Sequence, residues 1–231
     1  MKPMFKRYAV YFTPAAQSDL ARFGARWLGW DSAMGRAMPH ASDAAIDLAT
    51  ITETPRKYGF HATLKPPFRL AEGATEDELH AALETFGKTH RPVQLQGLEL
   101  RRLGGFLALC PTGDVTDLQN LAASVVRDFD MFRAPLTEAE MAKRRASNLT
   151  PEQDALLVEW GYPYVMEAFR FHMTLSGRLK DDLLEAAKDQ AQTALNGITL
   201  APYDLDGLTL LGERADGYFE QIARVPLNPA A

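Results

Sequence analysis

The chain has 231 residues, an ordinary apolar content of 46%, a formal net charge of -5 and a single cysteine, Cys110. That length suits one large domain or two small lobes with a sizeable core. The acidic balance argues against broad electrostatic binding to long nucleic acid, and one cysteine excludes an internal disulfide and a Cys/His zinc pattern. No apolar run reaches the roughly 18 residues of a membrane span. The stretch from Met1 to Arg7 lacks a signal peptide's apolar segment, so a soluble cytoplasmic protein is expected.

Residues 8–12 read as a first strand closed by Thr13-Pro14. Ser18 caps a helix carrying Leu20, Phe23, Trp27 and Leu28 at helical spacing. The pattern over 31–56 is weak and reads mostly as loop. A strand is expected over 58–68, stalling at Pro66-Pro67. Thr75 and Glu78 form a capping box ahead of a helix that buries Leu79, Ala82, Leu83 and Phe86. Strands follow over 93–101 and 106–110, turned by Gly104-Gly105. Asp114 or Thr116 opens a helix striped with Leu118, Leu121, Ala122, Val125 and Phe129. Thr137 with Glu140, and Thr150 with Gln153 behind Pro151, repeat the capping pattern. A strand over 165–175, a helix over 181–195 and strands over 199–211 and 218–225 complete the chain.

Two stretches alternate apolar and polar residues strictly: Phe60-His61-Ala62-Thr63-Leu64-Lys65 and Phe171-His172-Met173-Thr174-Leu175-Ser176. In a strand this sorts Phe60, Ala62 and Leu64 to one face and His61, Thr63 and Lys65 to the other; the second copy sorts alike. Each is followed by a helix, then by Gly97-Leu98-Glu99-Leu100 or Gly207-Leu208-Thr209-Leu210, then by a glycine turn and an aromatic strand. A repeat this long is no solenoid unit. It suits two pseudo-twofold-related α+β lobes, with antiparallel sheets, helices packed outside and a central cleft. The chain then forms a single bilobal domain over 1–231. One lobe spans about 1–112 and the other about 113–231, with a helical insertion near 130–160.

Neutral imidazole takes a proton near pH 7 and imidazolium gives one, so two histidines on facing strands can divide an acid–base reaction at phosphorus. His61 and His172 are the expected pair, with the hydroxyls of Thr63 and Thr174 on non-bridging phosphate oxygens. Such a scheme requires no metal and no cofactor.

The doubled His-x-Thr motif resembles the 2H phosphoesterase superfamily. The stretch from Tyr58-Gly59-Phe60-His61 through Pro66-Pro67-Phe68, and Trp160-Gly161-Tyr162-Pro163-Tyr164 through Phe169-Arg170-Phe171-His172, resemble its DUF1045 branch, the phosphonate metabolism protein family. The resemblance implies a bilobal fold and hydrolysis of a small phosphate ester. A cyclic one, such as a ribose cyclic phosphate from phosphonate breakdown, is favoured. Two other readings keep the same cleft: a non-catalytic binding module for a nucleotide or phosphorylated sugar, and an RNA-end processing enzyme. No membrane partner is expected.

Around the pair, Lys65 and Arg170 share parity with the histidines and are candidates to hold the phosphate. Tyr8, Tyr11, Arg56, Ser176 and Arg178 are candidate substrate contacts. Tyr162 and Tyr164 read as packing at the cleft mouth. Arg133, Arg144 and Arg145 could lie over a phosphate, but a solvated helix is the favoured reading.

Overall fold

The computed structural model describes residues 5–41 and 45–228. In chain order it contains β1 (Tyr8–Phe12), α1 (Asp19–Leu28), β2 (Trp30–Asp31), β3 (Arg36–Ala37), α2 (Leu48–Ile51), α3 (Glu53–Arg56) and β4 (Ala62–Phe68). Next come α4 (Glu76–Thr89), β5 (Val93–Leu95), β6 (Gly97–Leu103), β7 (Phe106–Thr112), α5 (Thr116–Asp128), α6 (Glu138–Arg145) and α7 (Pro151–Trp160). The last elements are β8 (Met173–Thr174), α8 (Asp181–Ala194), β9 (Tyr203–Leu205), β10 (Gly207–Glu213) and β11 (Phe219–Pro226). Among the described residues no helix is long and apolar enough to cross a membrane.

Seven strands form one antiparallel sheet in the order β11-β10-β1-β4-β8-β7-β6. The two halves of the chain are interleaved in it. The hairpin β10-β11 lies beside β1, while the hairpin β6-β7 lies beside β8. The helices cross over as well: α4 packs on β10 and β11, and α8 on β6 and β7. Each half therefore lends its helix to the other half's hairpin, and a division at 112/113 is spanned by sheet hydrogen bonds.

The alternation read from the sequence sorts the sheet faces. Tyr8, Val10 and Phe12 of β1 enter the main core with Phe60, Ala62, Leu64, Phe171, Met173 and Leu175. Ala9 and Tyr11 point the other way, into a small cluster with Leu211, Phe219 and Tyr58. The helix signals are in place. Ser18 accepts from the Ala21 N–H, and the three Thr-x-x-Glu/Gln patterns form complete capping boxes at α4, α6 and α7. Asp114 accepts from the Thr116 N–H at the start of α5.

Three expectations change. β4 begins at Ala62, which leaves His61 just ahead of it, and it does not stall at Pro66-Pro67 but runs through them to Phe68. Its register with β1 slips on either side of Lys65, from Tyr8↔Phe68 to Val10↔Lys65 to Tyr11↔Thr63, and such bulges tolerate residues without an N–H. The second motif strand shrinks to Met173–Thr174. Upstream, Met166 adopts a φ of 51° and opens a 3-10 turn, which breaks an extended chain. Finally, the weak stretch over 31–56 holds the small hairpin β2-β3 and the single-turn helices α2 and α3 as well as loop; its residues 42–44 lie outside the described set.

Helix α1 backs both motifs. Gly24 sits against the Phe60 ring so closely that a Cβ there would lie 2.2 Å from Cγ and Cδ1. The buried Trp27 indole donates to the Leu175 carbonyl at 2.7 Å.

Candidate functional site

β4 and β8 pair at Ala62↔Met173 in antiparallel sense. In that register His61 falls opposite Thr174 and Thr63 opposite His172, all on the face away from the main core. The two motifs thus meet head to tail, as a twofold axis would arrange them.

The histidines are held alike. Nδ1 of His61 lies 2.9 Å from the carbonyl of Gly59, and Nδ1 of His172 lies 2.8 Å from that of Arg170. A carbonyl only accepts, so each Nδ1 carries the hydrogen and each neutral ring turns a lone pair at Nε2 outward. In His61 that Nε2 accepts from the Thr63 hydroxyl at 3.1 Å. Gly59 is required for this loop: its φ is 73°, and a Cβ would lie 2.8 Å from the Ser32 side chain. The Arg170 carbonyl holds its histidine without a glycine.

His61 stacks on Tyr11, with ring centroids 3.8 Å apart and planes inclined at 19°. Burial lowers its pKa to about 4; the Gly59 hydrogen bond opposes this, and the nearby His172 adds to it. His172 is half-buried beside Phe106. Burial drives the Tyr11 phenol well above its ordinary pKa, which keeps it neutral.

A cleft of about 390 Å³ opens here, lined by His61, Thr63, Thr174, Ser176, Tyr11, Tyr58, Phe106, Tyr162 and three arginines, Arg7, Arg144 and Arg178. Among the described residues no carboxylate lines it. Arg7 is gripped by Glu213, with Nε–Oε2 at 2.6 Å and Nη2–Oε1 at 3.1 Å. Arg178 is exposed and has no ion-pair partner among the described residues. Three guanidiniums, the hydroxyls of Thr63 and Thr174 and the His61 imidazole line one space and make an anion-binding surface; His172 is not among the lining residues, though its neighbours Phe106 and Thr174 are.

The other candidates are placed elsewhere or engaged. Lys65 is 1% exposed, and its ammonium donates to the Val126 carbonyl and to Asp130 Oδ1, both at 3.0 Å. Burial lowers its pKa to about 8, with Asp130 opposing. The register slips beside it defeat the simple parity that aligned it with His61. Arg170 is exposed and donates to the carbonyls of Glu167 and Phe169. Tyr8 lies in the main core and donates to Glu76, and burial pushes its pKa up to about 12. Arg56 staples its own neighbourhood, donating to the carbonyls of Leu28 at 2.7 Å and Ala49 at 2.6 Å. Ser176 lines the cleft, but its hydroxyl accepts from the Leu107 N–H and donates to the Gly177 carbonyl.

Arg7 carried no sequence signal beyond lying beside a strand, and Tyr58 none beyond opening the first motif stretch. Arg144 comes from the expected insertion, whose two other arginines are engaged: Arg133 by Asp130 and Arg145 by Asp154. No local pattern separates the three.

A family model described as "Protein of unknown function (DUF1045)" matches residues 63–220. The chain belongs to that family. A protein of Janthinobacterium sp. (strain Marseille) named ribose 1,5-bisphosphate phosphokinase PhnN is 39% identical over 230 residues, covering 96% of this chain and 51% of that protein. A protein of the same name from Laribacter hongkongensis (strain HLHK9) is 34% identical over 219 residues, covering 95% and 51%. The chain spans about half the length of these curated relatives. Among solved structures, TT0787 of Thermus thermophilus superposes with a TM-score of 0.44 at 11% identity, covering 97% of this chain and 100% of that one. E. coli LigT complexed with 3′-AMP gives 0.41 at 13%, covering 97% and 99%.

Proposed function

We propose that the chain is a cytoplasmic 2H-type phosphodiesterase that opens a small, cyclic phosphate ester by two-histidine catalysis without a metal ion. The observation that carries this reading is the matched pair of imidazoles, each fixed through Nδ1 by a carbonyl two residues upstream, with their threonines exchanged across β4 and β8. A water oxygen attacks phosphorus and its proton passes to Nε2 of His61. The bond from phosphorus to the leaving ring oxygen breaks, and that oxygen takes the proton from Nε2 of His172. One diester and one water become one monoester with a free hydroxyl. With substrate bound, the Thr63 hydroxyl turns from Nε2 of His61 and, with that of Thr174, donates to non-bridging oxygens, and Arg178 offsets their charge. Repulsion between two nearby imidazoliums favours one cation at a time, which is the combination the step needs. The name of the curated relatives, a ribose 1,5-bisphosphate kinase, supports a phosphorylated ribose as the sugar part.

Turnover of 2′,3′-cyclic nucleotides and ribose 1,2-cyclic phosphate, assayed with a chelator present, tests the reading. Activity is expected to persist in chelator and to fall about 10²–10⁴-fold in His61→Ala and in His172→Ala, with the circular dichroism spectrum unchanged. Undiminished turnover in both variants, or abolition by chelator, overturns it.

A further inference from the structure

A second cavity of about 590 Å³ adjoins the histidine cleft; Arg7, Tyr58, Pro66, Pro67 and Arg144 line both. The second chamber is strongly cationic, and most of its cations are matched. Arg7 is held by Glu213, Arg69 by Glu140, and Lys65 and Arg133 by Asp130. Arg144 is the exception at the shared wall. Its guanidinium is half-buried, 4.6 Å over the Tyr162 ring, and has no carboxylate or carbonyl partner among the described residues. Burial lowers its pKa, Tyr162 opposes that, the adjacent Arg7 lowers it further, and Glu140, already paired with Arg69, raises it by less. Lys143, exposed beside it, lines the second chamber and is also unpaired among the described residues. A guanidinium that is partly desolvated and faces another cation is unfavourable until an anion joins it.

The supporting helix points the same way. α6 buries no residue, so the core does not account for it. Polar ties fix it instead: the Thr137 capping box, the Arg69–Glu140 pair, and Arg145 on Asp154. Those ties leave Arg144 directed at the wall between the two cavities.

We propose that the chamber is a second-anion subsite, in which Arg144 and Lys143 receive a phosphomonoester carried by the same substrate whose phosphodiester lies between the histidines. This rests on the phosphodiesterase reading and narrows its substrate class to small, doubly phosphorylated sugars or nucleosides.

Two measurements separate the subsite from the reaction. Ribose 5-phosphate, a monoester with no diester to cleave, serves as the binding probe in calorimetry. Arg144→Gln is expected to weaken it at least tenfold, Arg144→Lys to restore part of the loss, and His61→Ala/His172→Ala to leave it in place. Unaltered affinity in Arg144→Gln, or an equal loss in the histidine variant, overturns the subsite. The second measurement compares adenosine 2′,3′-cyclic phosphate with and without a 5′-phosphate. The wild type should favour the 5′-phosphorylated form at least tenfold in kcat/KM, and Arg144→Gln should bring the ratio towards one. A ratio near one in the wild type overturns the subsite. If neither compound, nor ribose 1,2-cyclic phosphate, is turned over, the phosphodiesterase reading fails while the calorimetry still decides the subsite.

Discussion

Replacing Asp130 with alanine strips the Lys65 ammonium of the carboxylate that neutralises it. Lys65 is 1% exposed, so the charge cannot turn to water, and it keeps the Val126 carbonyl at 3.0 Å. Removing one member of a buried pair typically costs about 3–5 kcal/mol. The reverse change is milder. In Lys65→Met, Asp130 keeps both bonds to Arg133, Nε–Oδ1 at 2.8 Å and Nη2–Oδ2 at 3.0 Å, and the new side chain lies beside the Phe68 ring. That variant should lie within about 1 kcal/mol of wild type. The double variant should therefore be more stable than Asp130→Ala alone, because the stranded charge is gone. The Arg133 share of the loss remains.

The pH dependence adds an independent check. Burial already lowers the Lys65 pKa to about 8, and losing Asp130 lowers it further. Between that folded value and the unfolded one near 10.4, the unfolded chain holds more protons, so stability rises with pH. The gap between Asp130→Ala and wild type should narrow by about 1–2 kcal/mol between pH 7 and pH 9.5. Urea unfolding followed by tryptophan fluorescence reads all four proteins. Equal losses in the two single variants, or a double variant no more stable than Asp130→Ala, would refute the reasoning and free Lys65 for a role with substrate.

Three further outcomes are expected. Gly24→Ala should destabilise the fold by about 1–3 kcal/mol despite its better helix propensity, since its Cβ overlaps the Phe60 ring, and it should slow turnover by displacing His61; a stabilised variant would contradict this packing. Arg56→Ala should cost about 2 kcal/mol in urea unfolding by leaving the Leu28 and Ala49 carbonyls unpaired, with kcat/KM unchanged, because Arg56 lies outside the cleft. His61 is protonated near pH 6.5 in the unfolded chain but only near 4 when folded, so stability should fall as pH drops through that window, by about 3 kcal/mol in all. His61→Gln should flatten that slope, and an NMR titration should find the His61 ring neutral at pH 5 in the ligand-free protein.

Local grammar was the legible part of the sequence. Capping boxes are local, as is the alternation that sends Phe60 and Met173 into the core, and both were readable residue by residue. The histidine pairing was readable because the motif occurs twice. What escaped depended on partners distant in sequence. Lys65 had the right parity for the cleft, but parity assumes an unbroken ladder, and two register slips surround it. Asp130, sixty-five residues away, then decides what it touches. Arg144 differs from Arg145 only in which way one turn of α6 presents it, and that depends on Asp154 and Tyr162. The exchange of hairpins between the halves has no local signature either, since each hairpin and helix forms the same way whichever partner it finds.

The placement of α1 behind both motifs couples positions that a map of the cleft would treat as separate. Gly24 sets the depth of Phe60, the residue before His61, and Trp27 anchors the Leu175 carbonyl, three residues beyond His172. A rigid-body shift of this one helix would move the two imidazoles together, so their separation is guarded from the rear of the sheet. The motifs are duplicated, but the chain supplies one helix as the common jig for both. Drift in either copy must therefore stay compatible with the same ten residues, Asp19–Leu28.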